Sequence, residues 1–446
     1  METDERSNAI EYALRSVRDN DVRFVRLWFA DILGNLKGFA LNAAELENAF
    51  ERGMGFDGSS IEGFARIDES DMVARPDPAT FQVLPWRPRE NAVGRVFCDI
   101  VTPEGDVFEG DPRGVLKRNL KRASDLGYTF YVGPEIEHFY FKGSDGTELL
   151  DVGGYFDQTP QDLSTELRRE TVLTLEDIGI PVEYSHHEVA PSQHEIDLRY
   201  TDALTMADTV MTYRQAVKEV AVRNGVYASF MPKPITGLNG NGMHVNMSLF
   251  KDGKNAFFEE KDPYKLSELA RQFVAGLMTH AREITLVTNQ WVNSYKRLVP
   301  GYEAPVHISW ARINRSDLIR IPAYREGKNE SVRIEYRAPD PSCNPYLAFA
   351  VLLAAGIQGV EGKYVPPEPV EANVHQMSVE DREEGGIQSL PGSLSEAITC
   401  AEESDMLQDA LGKHLFKSFI KNKKIEWETY SRHVTDYEIK RYLPIL

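Results

Sequence analysis

The stretch that decides the fold is Gly242-Met243-His244-Val245-Asn246-Met247-Ser248-Leu249-Phe250, in which polar and apolar side chains alternate. Residues two apart in a β-strand face the same side of a sheet, so His244, Asn246 and Ser248 share one face. The other face is apolar without exception, which is typical of a core. A histidine in line with an amide and a hydroxyl favours a ligand-binding face over the alternative, a hydrogen-bonded structural histidine.

Three further stretches carry ionisable side chains in a comparable arrangement. They are Glu135-Ile136-Glu137 within a strand from Thr129 to Lys142, Glu188 and Glu195 across a turn at Pro191-Ser192-Gln193, and Arg333-Ile334-Glu335-Tyr336-Arg337. Carboxylates on one face repel each other unless a cation lies between them, and guanidinium groups suit phosphate. A divalent metal with a polyphosphate satisfies both signs, so the pattern predicts an ATP-using enzyme. For each stretch alone, a solvated charged surface remains the alternative.

The composition is typical of a globular protein with room for two or three domains. The 446 residues are 42% apolar and carry a formal net charge of −19, which disfavours nonspecific binding to nucleic acid or anionic membranes. The N-terminus lacks the apolar segment of a signal peptide, and the longest apolar stretch, 346–360, is too short and too broken to span a bilayer. We therefore expect a cytoplasmic protein that binds neither nucleic acid nor membrane.

The cysteines are not expected to carry chemistry. Cys98, Cys343 and Cys400 are odd in number and far apart in sequence, which predicts neither a disulfide framework nor a cysteine metal site. Buried free thiols are the expectation.

A small α+β domain is predicted at the N-terminus. Its elements are, in order, a helix over 4–19, strands over 22–29 and 36–41, a helix from its cap Asn42 to Gly53, and short strands that reach Asp99. The turn-rich segment 101–105 follows. It predicts a boundary between an N-terminal domain, 1–105, and a catalytic domain with C-terminal helices, 106–446.

The larger domain alternates strands with amphipathic helices. The predicted helices span 164–178, 203–224, 265–288 and 345–360. In the last of these, Asn344 is placed as the N-cap and Pro345 at the first helical position. The segment 364–391 is rich in Pro, Glu and Gly and predicts a long surface excursion, whereas 394–442 predicts consecutive helices.

Several motifs, taken in their order along the chain, carry a family resemblance. They are Phe56-Asp57-Gly58-Ser59-Ser60-Ile61-Glu62-Gly63-Phe64, Glu135 with Glu137, Ser185-His186-His187-Glu188-Val189-Ala190-Pro191, Asn239-Gly240-Asn241-Gly242-Met243-His244, the segment 293–305, Arg333-Ile334-Glu335 and Asn344-Pro345-Tyr346. In these motifs the chain resembles type I glutamine synthetase along nearly its whole length. Any one motif could recur by chance, whereas all of them in this order would not.

The resemblance implies a fold and an assembly. The fold class is α+β, with a small β-grasp-like N-terminal domain and a large catalytic domain whose curved antiparallel sheet is flanked by helices, as in guanidino kinases. The assembly implied is a homo-oligomer, a dodecamer of two stacked hexameric rings. Each active site would lie between neighbouring subunits, so that Asp57 acts on the sheet of the adjacent chain.

The resemblance also implies a set of site residues. One Mg²⁺ or Mn²⁺ would be held by Glu137, Glu188 and Glu195, and a second, bridging the ATP phosphates, by Glu135, His244 and Glu335. Glutamate would be bound by Asn239, Gly240, Arg297, Glu303 and Arg337. ATP would be bound by Glu183, Tyr200, Asn246, Ser248, Arg315, Arg320 and Arg333. Ammonium would meet Asp57, Ser60 and Tyr155.

Three of these residues have implied catalytic roles. Asp57 takes the proton of ammonium, Glu303 belongs to a flap that closes the site and shields the intermediate, and Arg315 contacts the transferred phosphoryl group. The expected function is ATP-dependent ligation of ammonia to the γ-carboxylate of L-glutamate through γ-glutamyl phosphate.

The chain departs from the family pattern at a few positions. Asn241 stands where the family usually has serine, and His375 occupies the place of the tyrosine that is adenylylated in the regulated branch, whose long insertion is also missing. The chain therefore resembles the feedback-inhibited branch, in which an arginine like Arg66 couples the site to product inhibition.

Three alternatives to a glutamate–ammonia ligase are considered. A γ-glutamyl-amine or polyamine ligase of the same family shares the activation machinery and differs in the nucleophile pocket, where Asp57, Ser60, Tyr155 and Glu303 favour ammonia. A catalytically silent relative would have lost metal carboxylates, and none is lost. A guanidino kinase is disfavoured by the Asp57 loop and the Glu303 flap.

Overall fold

The N-terminal part forms a mixed sheet with two helices. The structure, a computed structural model of the chain, describes residues 3–59, 61, 71–314 and 317–446. Its first elements are α1 (Thr3–Asp19), β1 (Val22–Ala30), β2 (Leu36–Asn42), α2 (Leu46–Arg52), β3 (Met54–Asp57), β4 (Asp71–Pro76), β5 (Gln82–Val83) and β6 (Ala92–Val101). In the described chain the sheet order is β2-β1-β6-β4-β3, with β5 beside β6. Strand β3, which ends at Asp57, is therefore an edge strand.

Strand β1 divides its side chains between two apolar clusters. Val25, Leu27 and Phe29 enter a cluster inside the N-terminal part, whereas Trp28 and Ala30 join the larger core of the molecule. This split follows from the alternation of side chains along a strand. One face of the N-terminal sheet thus belongs to the same core as the catalytic part.

The remaining elements build the catalytic part. Its helices are α3 (Pro112–Asp125), α4 (Thr165–Glu176), α5 (Ala203–Arg223), α6 (Glu268–Thr279), α7 (Ala281–Thr288), α8 (Ser294–Arg297), α9 (Pro345–Glu361), α10 (Val379–Glu384), α11 (Leu394–Glu402), α12 (Asp405–Leu411), α13 (Lys413–Ser431) and α14 (Asp436–Tyr442). Its strands are β7 (Thr129–Phe141), β8 (Val182–His187), β9 (Gln193–Leu198), β10 (Thr201–Asp202), β11 (Tyr227–Ser229), β12 (Met243–Lys251), β13 (Lys254–Asn255), β14 (Trp310–Ala311), β15 (Ile319–Arg320) and β16 (Ile334–Tyr336).

The second sheet brings the charged strands side by side. Its order across the described residues is β14-β15-β16-β12-β7-β9-β8, with β10 and β11 beside β7 and β13 beside β12. Strands β7, β8, β9, β12 and β16 pair antiparallel. The register places His244 opposite Glu135, Asn246 opposite Glu335, and Glu137 opposite Glu195.

The apolar face of β12 forms part of the core, as predicted. Met243, Val245, Met247 and Leu249 are all fully or almost fully buried. Helix α5 packs on β7, and α6 packs closely on α9. A Cβ atom on Gly276 of α6 would lie 2.2 Å from a backbone oxygen of α9, so this close helix contact requires glycine.

The predicted helix over 265–288 is two helices, α6 and α7. His280 separates them with φ −97° and ψ 6°, outside the helical geometry. Its Nδ1 lies 2.9 Å from Glu283 Oε2, and Ser404 donates a hydrogen bond to the same carboxylate. The bend therefore aims α7 at the C-terminal helices, a tertiary contact that helical periodicity does not encode.

Two polar contacts tie the N-terminal sheet to the catalytic part. Arg113 of α3 is buried and pairs with Asp77 and Asp99 of the N-terminal part as well as with Asp208 of α5. Asn344 caps α9, as predicted, and its Nδ2 also donates to Asp31 O at 3.0 Å in the β1–β2 turn. The boundary predicted near residue 105 stays a prediction.

The cysteines are free thiols. Cys98 and Cys343 are buried and Cys400 is half-buried. No helix in the described parts of the chain has the length and apolar character needed to cross a membrane.

Candidate active site

Two clusters of possible metal ligands lie on the polar face of the second sheet. The first is Glu135, His244 and Glu335, on β7, β12 and β16, and the second is His186, Glu188 and Glu195, on and beside β8 and β9. Within each cluster, one ligand atom from every residue lies within 4.8 Å of the others. The strand register described above is what brings these residues together from distant parts of the sequence.

The first cluster combines hydrogen bonds with buried charge. His244 Nδ1 lies 3.3 Å from Glu135 Oε2 and 3.6 Å from Glu335 Oε1. Burial by itself would raise the pKa of Glu135, but contacts with His244 and a 2.9 Å hydrogen bond from Asn246 lower it to about 2. Glu135 is therefore a carboxylate at neutral pH.

Glu335 is fully buried and is held by two guanidinium groups. One of its oxygens accepts a hydrogen bond from Arg337 and the other from Arg320. A carboxylate has about four lone-pair sites, so each oxygen keeps capacity for a cation while it is held in place. The buried negative charge of Glu335 is tolerated because two guanidinium groups pair with it.

In the second cluster, burial and like charge act on the carboxylates of Glu188 and Glu195. His186 Nε2 lies 3.3 Å from Glu195 Oε1, and His186 Nδ1 lies 3.5 Å from Glu188 Oε2. Burial, and then the neighbouring charge of Glu137, raises the pKa of Glu188 to about 9. Burial and adjacent carboxylates, led by Asp197, raise the pKa of Glu195 well above its usual range. Carboxylates in this state are suited to a divalent cation, which would compensate their charge.

Glu137 is fixed beside the second cluster. Its Oε2 accepts hydrogen bonds from Gly242 N at 2.7 Å and from Gln193 Nε2 at 3.0 Å. Its charge contributes to the raised pKa of Glu188. His186, rather than Glu137, completes the cluster by distance, and the role of Glu137 as a metal ligand stays a prediction.

An inner cavity opens over both clusters. It has a volume of about 360 Å³ and is lined by metal-cluster residues and by Arg320. The predicted glutamate-binding residues all line it, together with Tyr155: they are Asn239, Gly240, Arg297, Glu303 and Arg337. A Cβ atom on Gly240 would lie 2.2 Å from Pro232 O, so the loop can pack this closely against the backbone of Pro232 only with glycine.

An outer cavity adjoins the inner one and shares Glu135 and Tyr184 with it. Its volume is about 280 Å³. Five of the residues predicted to bind ATP line it: Glu183, Tyr200, Asn246, Ser248 and Arg333. Arg333 Nε donates to Asn246 Oδ1 at 2.9 Å, so the guanidinium is held against β12. Arg333 lines the outer cavity and Arg337 the inner one, so the two arginines that flank β16 line adjoining cavities.

The structure leaves some predicted residues apart from the cavities. Asp57 is exposed at the end of edge strand β3 and lines neither cavity of its own chain. The Ser59 side chain and a 2.8 Å hydrogen bond from Ser59 N hold the pKa of the Asp57 carboxyl below its usual value. Ser60, Arg66 and Arg315 lie outside the described residues.

Two buried residues of the site were not singled out from the sequence. His186 precedes Glu188 by two positions, so the alternation rule could have found it. Gln193 was placed only in a turn, yet its Nε2 donates to Glu137, to Gly240 O and to Asn241 Oδ1. Asn241, the departure from the usual serine, thus joins a hydrogen-bond network that links the Glu137 carboxylate to Gly240 in the loop before β12.

Comparison with known proteins places this geometry in a family. Residues 21–103 match the family model for the glutamine synthetase beta-Grasp domain, and residues 109–442 match that for the glutamine synthetase catalytic domain. The chain is 55% identical over 441 residues to glutamine synthetase of Mycolicibacterium smegmatis, covering 98% of this chain and 99% of that protein. It is 52% identical over 440 residues to glutamine synthetase of Methanosarcina mazei, covering 98% of each.

A solved structure shares the fold. The cryo-EM structure of Plasmodium falciparum glutamine synthetase matches with a TM-score of 0.87 at 27% identity, covering 98% of both chains. The chain belongs to the glutamine synthetase family. The predicted resemblance, fold class and class of enzyme, a ligase, are thereby confirmed. Membership implies the use of ATP and a divalent metal, which the two clusters fit.

Metal binding is expected to release protons at neutral pH. Because the pKa of Glu188 is raised to about 9, its carboxyl is protonated at pH 7 without a cation, and a cation displaces that proton. The ion that binds at the second cluster should release at least one proton at pH 7, and the contribution of Glu188 to this release should fall as the pH rises through 9. Calorimetric titration with Mn²⁺ in two buffers of different ionisation enthalpy measures this proton release, because the released protons add the ionisation heat of the buffer to the binding heat.

The control for this titration is Glu188→Gln, in which the titrating carboxyl is replaced by an isosteric amide. It should show a smaller proton release than the parent. A binding heat that is independent of the buffer in the parent would contradict the proposed state of the second cluster.

Proposed function

We propose that this protein joins ammonia to the γ-carboxylate of L-glutamate with ATP, through γ-glutamyl phosphate, giving L-glutamine, ADP and phosphate. The observation that carries the proposal is the pair of adjoining cavities that share Glu135. The outer cavity offers aromatic, amide and hydroxyl groups to a nucleotide, and the inner one offers carboxylates and guanidinium groups to metal and amino acid. A phosphoryl group passing between the two substrates would lie where the cavities meet.

The two metal sites are assigned by the family resemblance, and every residue of the two clusters except His186 belongs to them. Glu137, Glu188 and Glu195 are assigned to one Mg²⁺ or Mn²⁺, and Glu135, His244 and Glu335 to the other. Five carboxylates with one imidazole form a ligand set that suits these oxygen-preferring ions. When bound, the cations neutralise phosphate oxygens and make the γ-phosphorus more electrophilic.

The first step is assigned to the arginine side chains. Arg297 and Arg337 line the inner cavity and would orient glutamate, so that an oxygen of its γ-carboxylate attacks the γ-phosphorus and ADP leaves. Arg320, Arg333 and Arg315 would hold the phosphates and stabilise the charge that develops in the transition state. The buried backbone contacts of Arg297, to Ala338 O and Arg337 O, support a fixed position for its guanidinium.

The second step needs a neighbouring subunit. Ammonium would lose its proton to Asp57, the nitrogen would attack the carbonyl carbon of γ-glutamyl phosphate, and phosphate would leave. Asp57 lies exposed at a sheet edge and away from its own chain's cavities, which supports action on an adjacent chain. We infer a homo-oligomer, a dodecamer of two hexameric rings, with Ser60 and Tyr155 completing the ammonium site.

The regulatory branch of the family is inferred from His375 and Arg66. His375 lies on a short 3-10 turn, Val374–Gln376, where the regulated branch carries its modified tyrosine. We propose that this enzyme is not adenylylated and is inhibited by its product instead, with Arg66 coupling the site to that inhibition.

A ligase for larger amines is the second candidate. The test is ATP-dependent phosphate release with glutamate and, in turn, ammonia, methylamine, ethanolamine and putrescine. We expect ammonia to be preferred by kcat/KM, with glutamine as the product. A preference for putrescine would replace the proposed function with polyamine ligation.

Asp57→Asn separates the two steps. Ammonium is mostly protonated at neutral pH and needs a base, whereas hydroxylamine is largely neutral and does not. We expect ammonia-dependent glutamine synthesis to fall by about 100-fold, in line with the loss of a general base. The hydroxylamine-dependent reaction should retain much more of its rate.

Asp71→Asn is the matched control, because Asp71 lies directly opposite Asp57 in the β3–β4 pair. It should leave both reactions close to the parent. An equal loss with both nucleophiles in Asp57→Asn would assign Asp57 to the activation step or to the subunit contact rather than to deprotonation.

A further inference from the structure

Lys233 connects the loop that precedes β12 with the flap that carries Glu303. Its Nζ lies 3.6 Å from the centroid of the Tyr302 ring. The same ammonium group donates a hydrogen bond to Leu238 O. Leu238 precedes Asn239, which is predicted to bind glutamate. An ammonium this close to a ring face is attracted by the ring's quadrupole. One side chain thus contacts both edges of the inner cavity.

The backbone of Lys233 is held firmly. Its N–H donates to Asn293 Oδ1 at 2.7 Å, and Asn293 Nδ2 donates to Lys233 O at 3.0 Å. This two-way bond fixes the base of the side chain to the segment that leads into α8. Burial, together with the nearby charge of Arg297, lowers the pKa of Lys233, which agrees with a partly desolvated ammonium group.

Ala304 anchors the flap in the core, but the flap takes part in few hydrogen bonds. Glu303 has φ 57° and Gly301 has φ 92°, a left-handed conformation that costs a non-glycine residue such as Glu303 energy. Among the hydrogen bonds of the described residues, segment 300–305 takes part in one, from Asn239 Nδ2 to Glu303 Oε2 at 3.5 Å. Such a conformation persists only where the surroundings hold it.

We propose that Lys233 is a positioning residue that holds the flap over the inner cavity by its cation–π contact with Tyr302. It contacts neither the metal clusters nor Arg337, so it acts through Glu303. The inference rests on the proposed function, in which Glu303 shields γ-glutamyl phosphate from water. Both Tyr302 and Glu303 line the cavity, so movement of one carries the other.

A loosened flap has a defined chemical consequence. Water would enter, its oxygen would bond to the carbonyl carbon of γ-glutamyl phosphate, the carbon–oxygen bond to phosphate would break, and a proton would be released. Glutamate is regenerated, so the net reaction is hydrolysis of ATP to ADP and phosphate. The measurable quantity is the leak ratio, defined as glutamate-dependent phosphate release without ammonia divided by glutamine formation at saturating ammonia.

The experiment measures the leak ratio in Lys233→Met and Tyr302→Leu. Each should raise the ratio about fivefold, the population change expected from losing one partly desolvated cation–π contact. Tyr302→Leu leaves the hydrogen bond to Leu238 O intact, so it isolates the ring contact. The double variant should leak no more than either single one, because the two residues form one interaction.

Three control variants accompany these. Tyr302→Phe keeps the ring face and Lys233→Arg keeps the cation, so both should stay near the parent ratio. Lys251→Met removes a contact with the Tyr128 ring outside both cavities, and the ratio should not change.

The outcomes separate this inference from the proposed function. An unchanged ratio in Tyr302→Leu, or a parallel loss of both rates in the two variants, would overturn the role of Lys233. If Lys233→Met does not fold, Tyr302→Leu in the half-buried flap decides the question alone. A parent enzyme that forms no glutamine from ammonia would contradict the proposed function itself.

Discussion

Repulsion among carboxylates on one buried sheet face is the constraint on which the rest of this structure depends. Burial raises the pKa of Glu137, and burial together with neighbouring carboxylates raises the pKa values of Glu188 and Glu195. Burying like charges is costly, and a fold retains them only where a ligand or partner compensates. The two clusters differ in how the charge is compensated: arginines pair with Glu335, whereas burial and like charge raise the pKa values of Glu188 and Glu195 in the second cluster.

The scaffold serves to hold these groups in register. Strands β7 and β12 pair over eight residue positions, from Met243 opposite Ile136 to Phe250 opposite Thr129. A slip of one residue would turn Glu135 and His244 into the core and bring Ile136 and Val245 to the cavities. The apolar face therefore fixes the position of the polar face. The loops add further lining to the inner cavity, namely Asn239 and Gly240 before β12 and the segment of Glu303, whose neighbour Tyr302 contacts Lys233.

Much of this site could be predicted from the sequence because strand alternation is a local property. It places His244, Asn246 and Ser248 on one face and needs no knowledge of the partner strands. The break at His280 was not predictable from helical periodicity, since the carboxylate of Glu283 that His280 contacts also accepts a hydrogen bond from Ser404, which is distant in sequence. The network around Gln193 was missed for the same reason, because its partners come from β7 and from the loop before β12.

The number of divalent ions bound per chain tests the central claim most directly. Mn²⁺ binding by the protein should show two ions per chain at this site, and Glu335→Gln and Glu188→Gln should each lose one. Glu183→Gln, which alters an outer-cavity carboxylate that belongs to neither cluster, should keep both. A parent that binds a single ion, or cluster variants that still bind two, would contradict a two-metal site built on this sheet face.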